Sequence, residues 1–202
     1  MIESNPNSLL IIYEGETEAE FYKKIFEDKV PARKIRRNYG NLKGNFSINK
    51  KTIDKIQSYL ENNQFKSLKN IHVFIAYDRD GPREKETQLD IDYLRGQFIY
   101  KRSRIKSINE IIATQDLESW FFHDIEGIYT YLRVPKRKRK YNAYNNVEAT
   151  NNRILSELFH RYNKHYQKGR RVEGFLNHLD LNKIFNKVIE LNDAVVTINN
   201  LC

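Results

Sequence analysis

Asp78 and Asp80 close an apolar run, Ile71 to Gly81, that reads IHVFIAYDRDG. Being two apart, they point the same way on an extended chain, so both carboxylates can meet one cation while Arg79 points elsewhere. A second apolar run, Ser8 to Tyr13 (SLLIIY), ends in the same fashion at Glu14 and Gly15, with Glu18 one helical turn further on. If the two runs are parallel neighbouring strands, a spacing of about 4.8 Å brings Glu14 close to Asp78 and Asp80. Three acids that close raise one another's pKa unless a cation sits among them. All-oxygen ligands with no histidine or cysteine beside them point to Mg2+ or Mn2+. The chemistry implied is phosphoryl transfer, in which such an ion polarises the phosphate, lowers the pKa of an attacking water and stabilises the leaving oxygen. A second ion would draw on Glu18 or on Glu118, which stands in the stretch DLESWFFHD. Lys168, Arg170 and Arg171 are candidates to neutralise charge developing on the phosphate. Plainer readings stay open beside these: a D-x-D-G turn that merely ends a strand, and a capped helix over 116–124 whose acids serve only the helix dipole.

The elements that must position these acids follow from the pattern around them. Both apolar runs lack alternation, which suits strands buried on both faces of a parallel sheet, and ligands of open α/β sheets sit at the C-terminal ends of such strands. Thr17 to Glu20 fits a capping box, with the Thr17 hydroxyl as N-cap and Glu20 returning to it; the helix that follows turns Phe21, Tyr22, Ile25 and Phe26 inward. Arg33 to Tyr39 is a charged strand candidate near an edge, Gly40 to Asn45 a loop, and about Asn49 to Asn62 a helix. Strand, helix, strand, helix, strand implies right-handed crossovers. Residues 83–97 are helix-compatible, Ile105 to Ile108 a fourth strand candidate. A helix is expected from about Ala149 to Tyr166 and a last one over roughly Leu181 to Leu191. His160 and His165, five apart, miss the spacing of a helical zinc pair.

The 202 residues carry a net charge of +9 and an isoelectric point near 9.4, which favours a polyanionic partner such as nucleic acid. The densest positive run is Lys136, Arg137, Lys138, Arg139 and Lys140, followed by Tyr141 and Tyr144. Interleaved cations and tyrosines suit a nucleic-acid backbone and unstacked bases, a solvated loop explains the run equally well, and a nuclear localisation signal is a third reading. Lys43 is a further phosphate candidate, although no P-loop pattern surrounds it. The single cysteine, Cys202, excludes an internal disulfide framework and a cysteine-based zinc site. With no leader pattern at MIESNPN and no apolar segment of about 20 residues, the expectation is a cytoplasmic protein without a membrane span. The length suits one α/β unit over residues 1–132, with a basic loop and C-terminal helical extension over 133–202 packed on the same core.

These stretches resemble a Toprim domain, the metal-binding module shared by topoisomerases, bacterial primases and the nucleases of the OLD and RloB-like groups. LIIYEGETEAEFY is similar to its first motif, an apolar strand ending in Glu-Gly with a second Glu four residues on. VFIAYDRDG is similar to its D-x-D motif, and DLESWFFHD resembles the E-x-W stretch of small stand-alone RloB-like proteins. The resemblance spans roughly residues 8 to 124. It implies a Rossmann-like Toprim fold with a mostly parallel central sheet flanked by helices, and a C-terminal helical segment. It also implies Glu14 as general base or metal ligand, Asp78 and Asp80 as Mg2+ ligands, Glu118 as a further ligand and Lys168 as a helper lysine. With no P-loop present, the ATPase that accompanies many OLD-type domains would be a separate polypeptide. The activity implied is that of a compact nuclease acting on DNA or RNA, an effector in prokaryotic defence against phage. Two rivals remain: a HAD-like phosphatase with Asp78 as nucleophile and Asp80 as acid/base, and a non-catalytic nucleic-acid-binding module.

Overall fold

The computed structural model describes residues 7–32, 35–44, 46–79, 89–113 and 115–201. Four strands, β1 (Asn7–Tyr13), β2 (Arg36–Asn41), β3 (Asn70–Asp78) and β4 (Ile105–Ala113), form one sheet in the order β2-β1-β3-β4. Every pairing is parallel. The apolar runs are continuous because both faces of the inner strands are buried. Leu9, Ile11, Phe74 and Ala76 enter one core, while Leu10, Ile12, Val73 and Ile75 enter the other.

The first core lies under α1 (Glu16–Lys29), whose Phe21, Tyr22, Ile25 and Phe26 are all buried there. The second lies under α2 (Ile48–Glu61) and α3 (Ile91–Phe98), through Ile48, Ile56, Tyr59, Leu94 and Phe98. The helix between β1 and β2, α1, therefore packs on one face, and α3, which precedes β4, packs on the opposite face. β1 and β3 are adjacent, so their C-terminal ends form the topological switch point, the place where open α/β sheets hold ligands.

After β4 the chain runs through α4 (Leu117–Phe121), α5 (Ile125–Tyr131), α6 (Asn152–Arg161), α7 (Glu173–Leu176), α8 (Leu181–Lys187) and α9 (Ile189–Asn200). Leu155, Phe159, Phe175, Ile184, Leu191 and Ile198 from these helices join α1 in the first core. Among the described residues no helix is long and apolar enough to cross a membrane.

Several local expectations shift. Gly40 and Asn41 belong to β2 rather than to the loop. β4 extends to Ala113, well past the apolar start that marks it in the sequence, since its later positions alternate between buried and half-buried. The last helix is two helices, broken at Val188, which is extended at φ −97° and ψ 107°. The charges that make β2 look like an edge are partly spent on α1: the Arg37 guanidinium donates to the Phe26 and Val30 carbonyls at 2.6 and 2.7 Å, meeting acceptors that a helix end leaves open.

Candidate functional site

Glu14 is the first residue past β1, and the register that pairs Tyr13 with Ala76 sets it beside the end of β3. Asp78, the last residue of β3, donates its backbone N–H to Glu14 Oε1 at 3.3 Å. Its own Oδ1 accepts from the Leu117 N–H at 3.0 Å, which ties the strand end to the start of α4. That start is built by Asp116, whose Oδ1 caps the helix through the Ser119 N–H at 2.9 Å and whose Oδ2 accepts from the Asn152 N–H at 2.7 Å. Glu118, in the first turn of α4, is 0% exposed.

Two groups from far along the chain meet Glu118. The Tyr166 hydroxyl donates to its Oε1 at 3.0 Å, and Lys168 Nζ lies 3.2 Å from the same oxygen, its side chain 52% exposed. Oε2 is buried and has no hydrogen-bond partner among the described residues. The segment carrying Tyr166 and Lys168 is pinned by the Gly169 N–H, which donates to Thr17 Oγ1 at 2.8 Å. Thr17 is therefore not the N-cap: Gly15 holds that position with no side-chain cap. Glu18, at the third position of α1, turns its carboxylate back towards the backbone amides of Gly15 and of Glu18 itself. A Cβ on Gly15 would stand 2.8 Å from Glu18 Oε2, so the glycine leaves room for that carboxylate.

Burial dominates the electrostatics, and crowding of like charge adds to it. Burial, followed by the fields of Glu18, Glu14, Glu118 and Asp116, pushes the Asp78 carboxyl well above the ordinary range. Glu18 is also raised, first by burial and then by Glu118, against the backbone amides and Lys168, which lower it. Asp116 rises to about 6, chiefly through burial. Burial works against the charge on Lys168, but Glu118, Glu18 and Asp78 outweigh it and raise the ammonium pKa. Burial and then Glu118 hold the Tyr166 phenol well above its usual value, so it stays a donor.

These residues fit a hard divalent cation in two respects. The groups are all oxygen donors, and one of them, Glu118 Oε2, is a buried carboxyl oxygen with no hydrogen-bond partner among the described residues. Among the described residues, however, no three histidine, cysteine or acidic side chains form a finished ligand set. Mutual repulsion opposes drawing such carboxylates together without a cation between them.

Of the acids singled out in the sequence, Glu14, Glu18, Asp78 and Glu118 come together with Lys168, while Asp80 and the side chain of Arg170 lie outside the described residues. Lys43 sits in the loop after β2, where the Gly44 N–H donates to the Glu14 carbonyl at 2.7 Å. Arg171 is exposed on the turn Gly169–Val172. Lys136, Arg137, Lys138 and Lys140 are exposed. Arg139 is not free: it forms an ion pair with Glu126 and donates from Nε to the Val134 carbonyl at 3.0 Å. Sequence reasoning missed Asp116 as a builder of the site and Tyr166 as a partner of Glu118. The D-L-E-S pattern signals the first, since a helix N-cap aspartate precedes Glu118 by two. Nothing local signals the second.

A family model described as a domain of unknown function, DUF4276, matches residues 13–198. The chain belongs to that family. The matched span holds Glu14, Glu18, Asp78, Glu118 and Lys168, so the carboxylate cluster lies within the DUF4276 unit. No curated protein matches by sequence. Among solved structures, the C-terminal region of the Burkholderia pseudomallei OLD protein is similar, with a TM-score of 0.51 and 15% identity over 93% of this chain and 98% of that one. The C-terminal region of the Xanthomonas campestris pv. campestris OLD protein gives a TM-score of 0.45 at 16% identity, over 95% and 97%. The likeness to the Burkholderia structure is one of fold.

Proposed function

We propose that this DUF4276 protein is a metal-dependent nuclease that hydrolyses phosphodiester bonds of DNA or RNA. The observation that carries the reading is the gathering of Glu14, Glu18, Asp78 and Glu118 at the C-terminal ends of β1 and β3, with a cation, Lys168, on their rim. Four buried carboxylates at one strand edge repel one another in a metal-free fold, and such crowding is characteristic of sites that use the charge. Glu14, Asp78, Glu18 and Glu118 would hold Mg2+ or Mn2+, which when bound supplies Lewis-acid polarisation of the phosphate and a more acidic water. Glu118 would enter through Oε2, since Tyr166 and Lys168 already occupy Oε1. Lys168, half exposed, can turn its ammonium towards charge building on the phosphate. The resemblance of the Glu-Gly and D-x-D motifs to Toprim nucleases of the OLD and RloB-like groups supports the same activity. A separately encoded ATPase partner and a role in anti-phage defence rest on that resemblance alone. A HAD-like phosphatase fits less well, because its nucleophile opens the fold, whereas Asp78 ends the third strand of this chain.

The test is incubation with plasmid, single-stranded DNA and total tRNA in Mg2+ or Mn2+, beside the Asp78→Ala protein. Cleavage of at least one substrate by the parent protein, abolished by EDTA and by the substitution, is expected. Equal cleavage by both proteins would sink the assignment.

A further inference from the structure

The acids do not account for a second set of groups on the same edge of the sheet. Between the end of β2 and α2 lies a groove of about 300 Å³, lined by Asn41, Lys43, Lys51, Lys55 and Ser58, with Asp54 the acid in its wall. Its inner end is tied to the carboxylate cluster. The Leu42 N–H donates to the Tyr13 carbonyl at 2.9 Å and the Gly44 N–H to the Glu14 carbonyl at 2.7 Å, so Lys43 stands between two residues bonded to the end of β1. Lys51 Nζ braces this loop by donating to the Lys43 and Gly44 carbonyls at 3.3 and 3.2 Å.

Two exposed rings that do not line the groove stand on the same edge of the sheet. Phe46 is 61% exposed and Tyr93 is 50% exposed. Phe46 immediately precedes α2, and Tyr93 lies in the first turn of α3. The Asp90 N–H donates to Asn49 Oδ1 at 2.7 Å, which draws these two helix starts together. Both helices begin at the C-terminal edge of the sheet, the edge that holds Glu14 and Asp78. The first turn of α2 carries Lys50 and Lys51 and no acidic residue, which favours a polyanion beside Phe46, while Asp90 and Asp92 flank Tyr93.

Cations in a groove with exposed rings beside them form the combination that binds single strands: the cations follow the phosphates and the rings stack on bases. A duplex keeps its base faces covered by their neighbours and offers a protruding ring nothing to stack on. We propose that this groove seats the substrate as a single strand, with Lys43, Lys51 and Lys55 along the sugar–phosphate backbone and Phe46 and Tyr93 under unpaired bases. The inference rests on the nuclease reading for its direction, since the strand leads from the groove to the acids.

Binding is measured by fluorescence anisotropy in EDTA, which separates it from cleavage, using one labelled sequence as single-stranded DNA, single-stranded RNA and blunt duplex. The parent protein should bind at least one single strand more tightly than the duplex, and the better of the two names the sugar. The Phe46→Ala, Tyr93→Ala double variant should weaken single-strand binding by about 5- to 150-fold for each stacked base lost and leave the melting temperature unchanged, because both rings are exposed. Should it fail to fold, Phe46→Ala alone carries the test. Lys43→Ala with Lys55→Ala should flatten the plot of log affinity against log salt by about 0.7 per phosphate contact removed. Equal affinity for strand and duplex, or ring variants that bind like the parent, overturns the proposal. Strand binding with no cleavage in Mg2+ or Mn2+ would remove the nuclease reading and leave the groove standing; cleavage with unaltered binding in the ring variants would do the reverse.

Discussion

Asp78→Asn should stabilise the metal-free protein and abolish its stabilisation by metal. Asparagine matches aspartate in shape, and its amide oxygen can still accept from the Leu117 N–H. What it removes is a negative charge from a site where burial and four neighbouring acids already push the carboxyl towards its neutral form. A pair of unit charges interacts by roughly 2–3 kcal/mol at 6–8 Å and an effective dielectric constant near 20. Proton uptake by Asp78 limits how much of that repulsion is felt, and the new amide hydrogens lose some hydration. The net gain should be about 1–2 kcal/mol, or roughly 2–8 °C in melting temperature for a chain of this size. Metal reverses the order. An ion at a hundred times its dissociation constant stabilises the parent by about 2.7 kcal/mol, while the asparagine protein, short of a charged ligand, gains little. Thermal melts of both proteins in EDTA and across a Mn2+ titration should therefore cross. A variant that melts below the parent in EDTA, with both proteins responding equally to Mn2+, would refute the account of these acids as a charge cluster awaiting a cation.

Burial, with the same crowding, sets a pH dependence. Asp78, Glu18 and Asp116 hold their protons to higher pH in the fold than in the unfolded chain, so metal-free stability should fall as pH rises from about 4, the unfolded carboxylate value. For Asp116 the loss is complete above its folded value of about 6; melts from acid to neutral pH in EDTA should show the decline, and saturating Mn2+ should flatten it. Thr17→Val removes the acceptor for the Gly169 N–H. It should cost about 1 kcal/mol of stability while lowering cleavage by more than the melt accounts for, because Tyr166 and Lys168 lose their tether. Arg139→Ala should lower the melting temperature and spare nucleic-acid affinity, whereas Lys138→Ala, exposed and unbraced by any such pair in the described residues, should do the opposite; melts and salt-dependent anisotropy read the two effects.

The inner strands were legible because burial on both faces leaves no polar position to break the run, as Leu9 to Ile12 and Val73 to Ala76 show. Their approximate C-terminal ends were legible for the opposite reason, since Glu14 and Asp78 interrupt the run abruptly. β4 was only half visible: Asn109 and Glu110 fall among its half-buried positions, so an apolar pattern ends before the strand does. The capping box failed on competition. Thr17 has the right chemistry for an N-cap, but its hydroxyl serves a backbone amide 152 residues away, and no window along the chain encodes that. Glu18 does reach back to the N-cap, two positions earlier than the pattern suggested.

That long-range traffic bears on how the site comes into being. Glu14 and Asp78 need only the β1–β3 pairing, and Glu118 needs the Asp116 cap at the end of β4. The partners of Glu118, by contrast, come from the segment after α6, which reaches the site only when Leu155, Phe159 and Phe175 have docked on the α1 face of the sheet. A carboxylate fully shielded from water without Tyr166 or Lys168 would lose several kcal/mol of solvation with nothing in return. Burial of Glu118 and docking of the C-terminal helices are thus one event. The sheet supplies the position of the charges, and the last third of the chain makes their burial tolerable.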